Sequence, residues 1–103
     1  MSDQQVYHVS YSDEADAQIA KLDGGVRVII LKWISKHLEG TENPRATGKA
    51  LEGELAGLWR YRVGDYRLLC QIKDSLVEIE IVKVRHRRDV YVFRGRGGRN
   101  RRK

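Results

Sequence analysis

Leu58-Trp59-Arg60-Tyr61-Arg62-Val63-Gly64-Asp65-Tyr66-Arg67-Leu68-Leu69-Cys70-Gln71-Ile72-Lys73 carries a period of two. Trp59, Tyr61 and Val63 alternate with Arg60 and Arg62. Tyr66, Leu68, Cys70 and Ile72 alternate with Arg67, Leu69, Gln71 and Lys73. Successive side chains of a strand point to opposite faces, so this pattern predicts two half-buried strands, and Gly64-Asp65 supplies a tight turn between them. Lys73-Asp74-Ser75 offers a second turn, after which Val77, Ile79 and Ile81 alternate with Glu78 and Glu80. The reading is a three-stranded antiparallel meander with one apolar face and one charged face.

Working outward, Val26, Ile29, Ile30, Trp33, Ile34 and Leu38 recur at the three-and-four spacing of one buried helix face, which Gly40 closes. A shorter helix precedes it. Ser12 caps it, Asp13, Glu14 and Asp16 suit its positive end, and Ala15, Ile19 and Leu22 form its apolar stripe before Asp23-Gly24-Gly25 breaks it. Val6–Tyr11 reads as a first strand, and residues 41–57, punctuated by Pro44, Gly48, Gly53 and Gly57, read as a loop. The expected order is β-α-α-β-β-β, an α+β domain with two helices packed on one face of a mainly antiparallel four-stranded sheet. Residues 1–93 form that domain, and 94–103 a flexible basic Arg/Gly-rich tail.

The 103 residues suit one domain, and no apolar run reaches the ~18 residues that span a bilayer. The start is unlike a signal peptide, and the single cysteine, Cys70, has no internal disulfide partner, so a reducing cytoplasm is the expected home. Within an apolar strand Cys70 reads as a buried, inert thiol. The formal net charge of +6 is uneven: residues 83–103 hold ten Lys or Arg against Asp89 alone, while residues 1–82 hold ten against thirteen acids. A basic end on a mildly acidic body suits a polyanion such as nucleic acid, although acidic proteins and anionic lipids attract the same tail.

Strand alternation puts Arg60, Arg62 and Arg67 on the face opposite Trp59, Tyr61, Tyr66 and Leu68, with Arg85, His86, Arg87, Arg88 and Tyr91 following the last strand. Guanidinium groups bind phosphates bidentately, and tyrosine or arginine planes stack on unpaired bases, so the cluster suits RNA. The three histidines, His8, His37 and His86, lack metal-ligand spacing. Phosphodiester cleavage without metal or other cofactor would use the RNA's own 2′-hydroxyl as nucleophile, with arginines stabilising the added negative charge. Arg67 and Arg87 are the candidates for that role, and Tyr91 and His86 for proton transfer or stacking. The opposing reading has equal weight: Arg60, Arg62 and Arg67 would simply pair with Glu78 and Glu80 across the strands.

The run Trp59-Arg60-Tyr61-Arg62-Val63-Gly64-Asp65-Tyr66-Arg67 resembles the "W-R-x-R-x-G-D-Y-R" signature of the RelE/ParE toxin family, and His86-Arg87-Arg88-Asp89-Val90-Tyr91 resembles its closing "H-R-R-x-V-Y". Asn43-Pro44-Arg45 and Gly48-Lys49-Ala50-Leu51 fit as well, so the resemblance spans about Val6 to Tyr91. It implies the toxin of a toxin–antitoxin pair, a RelE-like, ribosome-dependent mRNA interferase that cleaves in the ribosomal A site and leaves a 2′,3′-cyclic phosphate. Carried over by motif, the catalytic set is Arg60, Arg67, Arg87 and Tyr91, with Arg62, Arg85, His86 and Arg88 as further catalytic or RNA-binding positions. Lys49, Arg94, Arg96 and Arg99 are expected to hold RNA or the ribosome. The C-terminal arginine is Arg85 when counted back from Tyr91 and Arg87 when matched on the His-Arg pair; the second match is preferred. Departures exist: Leu58 stands at a basic sheet position, and Arg85 where the family has glycine. The implied partners are a cognate antitoxin, in a heterotetramer or larger complex, the ribosome and mRNA, with no membrane. Two alternatives share the pattern: a ParE-like toxin that inhibits DNA gyrase without cutting RNA, and a non-enzymatic RNA-binding domain.

Overall fold

The computed structural model describes residues 5–88. Strand β1 (His8–Tyr11) leads through helix α1 (Asp13–Ala20) and helix α2 (Gly24–His37) to β2 (Lys49–Ala50), β3 (Trp59–Val63), β4 (Tyr66–Lys73) and β5 (Glu78–His86). The strands form one mixed sheet in the order β1-β5-β4-β3-β2. The β3-β4-β5 meander is antiparallel, and β1 closes onto β5 in parallel. The α+β architecture follows the sequence pattern, but the sheet has five strands where four were expected. The extra one, β2, pairs Lys49 with Arg60 and Ala50 with Trp59 inside the stretch read as loop. Two residues are too few to show a period.

Each helix begins where side-chain chemistry allows. Ser12 accepts the Ala15 N–H at 2.9 Å, and Asp23 accepts the Gly25 N–H at 3.1 Å; the first helix ends before Asp23-Gly24-Gly25 as expected, and the two glycines open α2. Ala15 and Ile19 of α1 and Ile30 and Ile34 of α2, with Leu38, pack on Tyr61, Val63, Leu68, Cys70, Ile79, Ile81 and Val84. Ile29 departs from the expected stripe: it is 62% exposed, as Val28 is at 51%, because the buried arc of α2 centres on Ile30, Ile34 and Leu38. Cys70 is fully buried, and burial pushes its thiol well above the ordinary value, which keeps it protonated and inert.

Gly48 has φ +87°, and a Cβ there would meet the Arg60 carbonyl oxygen and Trp59 Nε1 at 2.5 Å, so β2 can approach β3 only through glycine. Trp59 Nε1 donates to the Thr47 carbonyl at 2.8 Å and fixes the same segment from the side.

At the other edge, Glu39 joins the end of α2 to β1. It accepts the Val9 N–H at 2.9 Å, and its other oxygen lies 2.7 Å from His8 Nδ1. The Val9 hydrogen bond, then the His8 contact, hold this carboxyl below its ordinary value of 4.5. A carboxyl with a depressed folded value contributes stability above its unfolded value and loses it as pH falls through the folded one. Stability measured by urea melts is therefore expected to decline as pH drops below about 5. Glu39→Gln should flatten that decline by only ~0.5 kcal/mol, because exposed pairs are weak. An unchanged acid limb in the variant would remove Glu39 from the account.

Candidate functional site

The face of the sheet turned away from the apolar core is organised in rows set by strand register. Lys49, Arg60, Leu69 and Lys83 form one row across β2, β3, β4 and β5, and Arg62, Arg67 and Arg85 form the next across β3, β4 and β5. A register shift beside Leu69 and Cys70 makes this possible. Leu69 pairs with Lys83 and Cys70 with Ile81, so Val82 is an extra residue in β5. Such a bulge rephases the strand beyond it. Without it, Lys83 and Arg85 would have followed Ile79 and Ile81 into the core; with it, Val84 is buried and the two cations join the arginine face.

Like charges directly opposite one another destabilise a sheet, so this face needs a counter-charge. Glu78 and Glu80 do not provide it. They lie at the far end of β5, opposite Lys73 and Gln71, where Glu80 pairs with Lys73 at 3.0 Å and Glu78 accepts from Ser10. The expected alternative, in which those glutamates neutralise Arg60, Arg62 and Arg67, is not the arrangement found. Glu14 of α1 instead reaches Lys83 at 2.9 Å and Arg85 at 3.2 Å. The Lys83 hydrogen bond, with Arg85 behind it, holds the Glu14 carboxyl below its ordinary value. Helix α1 is fixed along β5 by Gln18, whose side-chain oxygen accepts the Val84 N–H at 2.7 Å, and by Ser12, whose hydroxyl donates to the Val82 carbonyl at 2.7 Å.

The two C-terminal arginines are thus held differently. Arg85 is tethered to Glu14, with its side chain 18% exposed. The Arg87 N–H donates to the Asp65 carbonyl at 2.7 Å, extending the β4–β5 ladder past the strand end. Its side chain, 59% exposed, lies 3.9 Å from the Asp65 carboxylate. Arg67 Nη1 donates to the Gly64 and Tyr66 carbonyls at 3.2 and 3.1 Å, which folds its head over the β3–β4 turn towards Asp65 and Arg87. His86 falls on the other face: it pairs with Tyr66, their rings meeting edge-on at 5.2 Å, and its Nδ1 accepts the Arg88 N–H. The structure therefore gathers Lys49, Arg60, Arg62, Arg67, Arg85 and Arg87 and separates His86 from them. Arg88 is exposed beyond the strand. Tyr91, Arg94, Arg96 and Arg99, and the tail from 94 to 103, lie outside the described residues.

Sequence reasoning missed Lys83 and Glu14. The phase of β5 concealed the first, since nothing in Ile81-Val82-Lys83 marks a bulge. Glu14 read only as a favourable charge in the first turn of a helix.

Among the described residues no group of three His, Cys, Asp or Glu side chains is placed to hold a metal ion, and no helix is long and apolar enough to cross a membrane.

A basic sheet face beside two packed helices has a counterpart among known proteins. The family model of the ParE toxin of the type II toxin–antitoxin system parDE matches residues 9–91. The chain belongs to this family. Two Mycobacterium tuberculosis relatives carry the likeness to the RelE branch. Toxin RelG is 33% identical over 82% of this chain and 95% of its own length, and toxin RelE 31% identical over 88% and 92%. In structure, the toxin resembles a chain of the M. tuberculosis toxin–antitoxin complex RelBE2, with TM-score 0.67 and 27% identity over 84% of this chain and 97% of that one. Free Escherichia coli RelE, as a mutant, shares the fold with TM-score 0.67 at 23% identity, over 86% of this chain and 92% of that one. The toxin is accordingly a RelE-like member of a type II toxin–antitoxin system.

Proposed function

We propose that this toxin is a metal-independent, ribosome-dependent endoribonuclease that cleaves mRNA in the ribosomal A site. The observation that carries the reading is the row Arg62, Arg67 and Arg85, extended by Arg87, at the opposite end of the sheet face from Glu78 and Glu80. Aligned like charges are costly in a sheet and become favourable against a polyanion, where they displace counterions. In the reaction the 2′-oxygen forms a bond to the adjacent phosphorus, and the bond from phosphorus to the 5′-oxygen of the next nucleotide breaks. The products are a 2′,3′-cyclic phosphate and a 5′-hydroxyl. One proton leaves the 2′-hydroxyl and one reaches the departing 5′-oxygen. The phosphorane between them carries extra negative charge, which Arg67 and Arg87 stabilise.

The face is rich in cations and poor in acid–base groups, since His86 points away. Proton transfer therefore depends on Tyr91 or on ribosomal RNA, and the bent mRNA completes the geometry only on the ribosome. A cognate antitoxin fits the same account: an acidic or amphipathic segment laid over the arginine face would neutralise it.

Primer extension on translated mRNA tests the reading against gyrase inhibition. Cuts within codons on ribosomes, persisting when a chelator removes transition metals and weak or absent on naked mRNA, are the expected result. Inhibition of DNA supercoiling without cuts would overturn it.

A further inference from the structure

The β2–β3 pairing stops at Lys49 and Arg60, so from Tyr61 onward β3 has no paired strand on that side among the described residues. A pocket of about 250 Å³ opens at this edge. It is lined by Trp33 and Tyr61, by the cations Lys49, Arg60 and Arg62, and by Thr47. Trp33 is half-buried, and its ring centroid lies 5.8 Å from that of Tyr61 at 53°, a contact that already occupies the space between them. A planar ligand would therefore lie against the accessible part of Trp33.

A second observation points to a ligand there. Among the described residues, Arg60 Nε is the buried side-chain polar atom left without a hydrogen-bond partner. Neither Arg60 nor Arg62 forms an ion pair with a described carboxylate. A buried cationic donor without an acceptor is costly, and a phosphate oxygen would satisfy it once the Arg60 side chain, which lines the pocket, turns Nε towards the ligand.

We propose that this pocket binds one phosphorylated nucleoside, with the base packed on Trp33 and the phosphate held by Lys49, Arg60 and Arg62. Stacking on an aromatic ring combined with guanidinium contacts is how proteins hold unpaired nucleotides. The volume is just under the ~300 Å³ at which pockets begin to enclose drug-sized ligands, which suits one base and its phosphate and not a dinucleotide. Arg62 belongs to both the pocket and the arginine row, so an RNA residue in the pocket would lie beside the scissile phosphate. That assignment of the source rests on the RNA-cleavage reading; a free nucleotide presents the same chemistry.

The test is titration of the purified toxin with nucleoside 5′-monophosphates and with inorganic phosphate, followed by tryptophan fluorescence. Wild type is compared with Thr47→Glu and with Lys21→Ala, which removes an exposed cation at the end of α1 far from the pocket, each checked by a thermal melt. Thr47 engages Trp59 through its carbonyl and its side chain is exposed, so Thr47→Glu adds a negative charge to the lining without breaking that bond. Monophosphates should bind with a Kd near ~1 mM, phosphate alone and Thr47→Glu about tenfold more weakly, and Lys21→Ala like wild type. If Thr47→Glu also slows cleavage on ribosomes, the occupant is an RNA residue; if it binds nucleotide poorly but cuts normally, the occupant is a free nucleotide. Equal binding by wild type and a folded Thr47→Glu, or no binding by any monophosphate, overturns the pocket even where ribosomal cleavage is intact. Nucleotide binding without any cleavage overturns only the nuclease reading.

Discussion

Arg67→Ala and Arg87→Ala are each expected to slow single-turnover cleavage at saturating ribosome by about a hundredfold, or ~3 kcal/mol of transition-state stabilisation. Arg67 stands in the middle of the cationic row, between Arg62 and Arg85, and its head is turned over the β3–β4 turn by the Gly64 and Tyr66 carbonyls. Arg87 approaches that turn from β5. Both guanidiniums lie at this turn, and in the proposed cleavage they would act on one phosphate. Neither truncation opens a core cavity, because neither side chain belongs to the buried cluster. Removing Arg67 also relieves repulsion within its row, so its thermal melt should move by less than ~0.5 kcal/mol or shift slightly upward. Arg85→Ala should act less on the chemical step, since Glu14 already engages that head. Folded Arg67→Ala and Arg87→Ala variants that cut at near wild-type rates would make the site assignment wrong and favour gyrase binding.

Tyr61→Ala is expected to cost ~3–5 kcal/mol of folding stability, a large share of the 5–15 kcal/mol typical of a domain. Tyr61 is 1% exposed and is among the largest fully buried side chains. Its ring packs beside Trp33, and its hydroxyl donates to the Pro44 carbonyl. That bond ties the segment before β2 to the middle of β3, and burial raises the phenol above its ordinary value of 10.0, so it stays a donor through the accessible pH range. Tyr61→Phe keeps the ring and loses the bond, leaving the carbonyl without this donor at a cost of ~1–2 kcal/mol. Urea unfolding separates the two contributions. A Phe variant as stable as wild type would show that the Pro44 bond adds nothing, and an Ala variant within ~1 kcal/mol would show that the site collapses around the missing ring.

Much of the fold was legible because burial imposes periods. The alternation from Trp59 to Lys73 specified β3, β4 and the turn between them, and Ile30, Ile34 and Leu38 specified the buried arc of α2. The same logic failed at Ile29, an apolar side chain that stays exposed because it falls outside the arc centred on Ile30, Ile34 and Leu38. It failed again at residues 49–50, where the strand exists only because Gly48 lets the chain come close to Arg60 and Trp59.

The sequence by itself determined the residue types of the arginine face, because a period of two assigns Arg60, Arg62 and Arg67 to one side of a strand pair whatever the rest of the chain does. Only the tertiary structure decided which other charges join them. Register is a relation between strands distant in sequence, and the bulge at Val82 turned Lys83 and Arg85 to the arginine face while leaving His86 on the other. Register also carried Glu78 and Glu80 to the far end of β5 and left their place to Glu14, a residue 71 positions from Arg85 that only the packing of α1 brings within 3.2 Å.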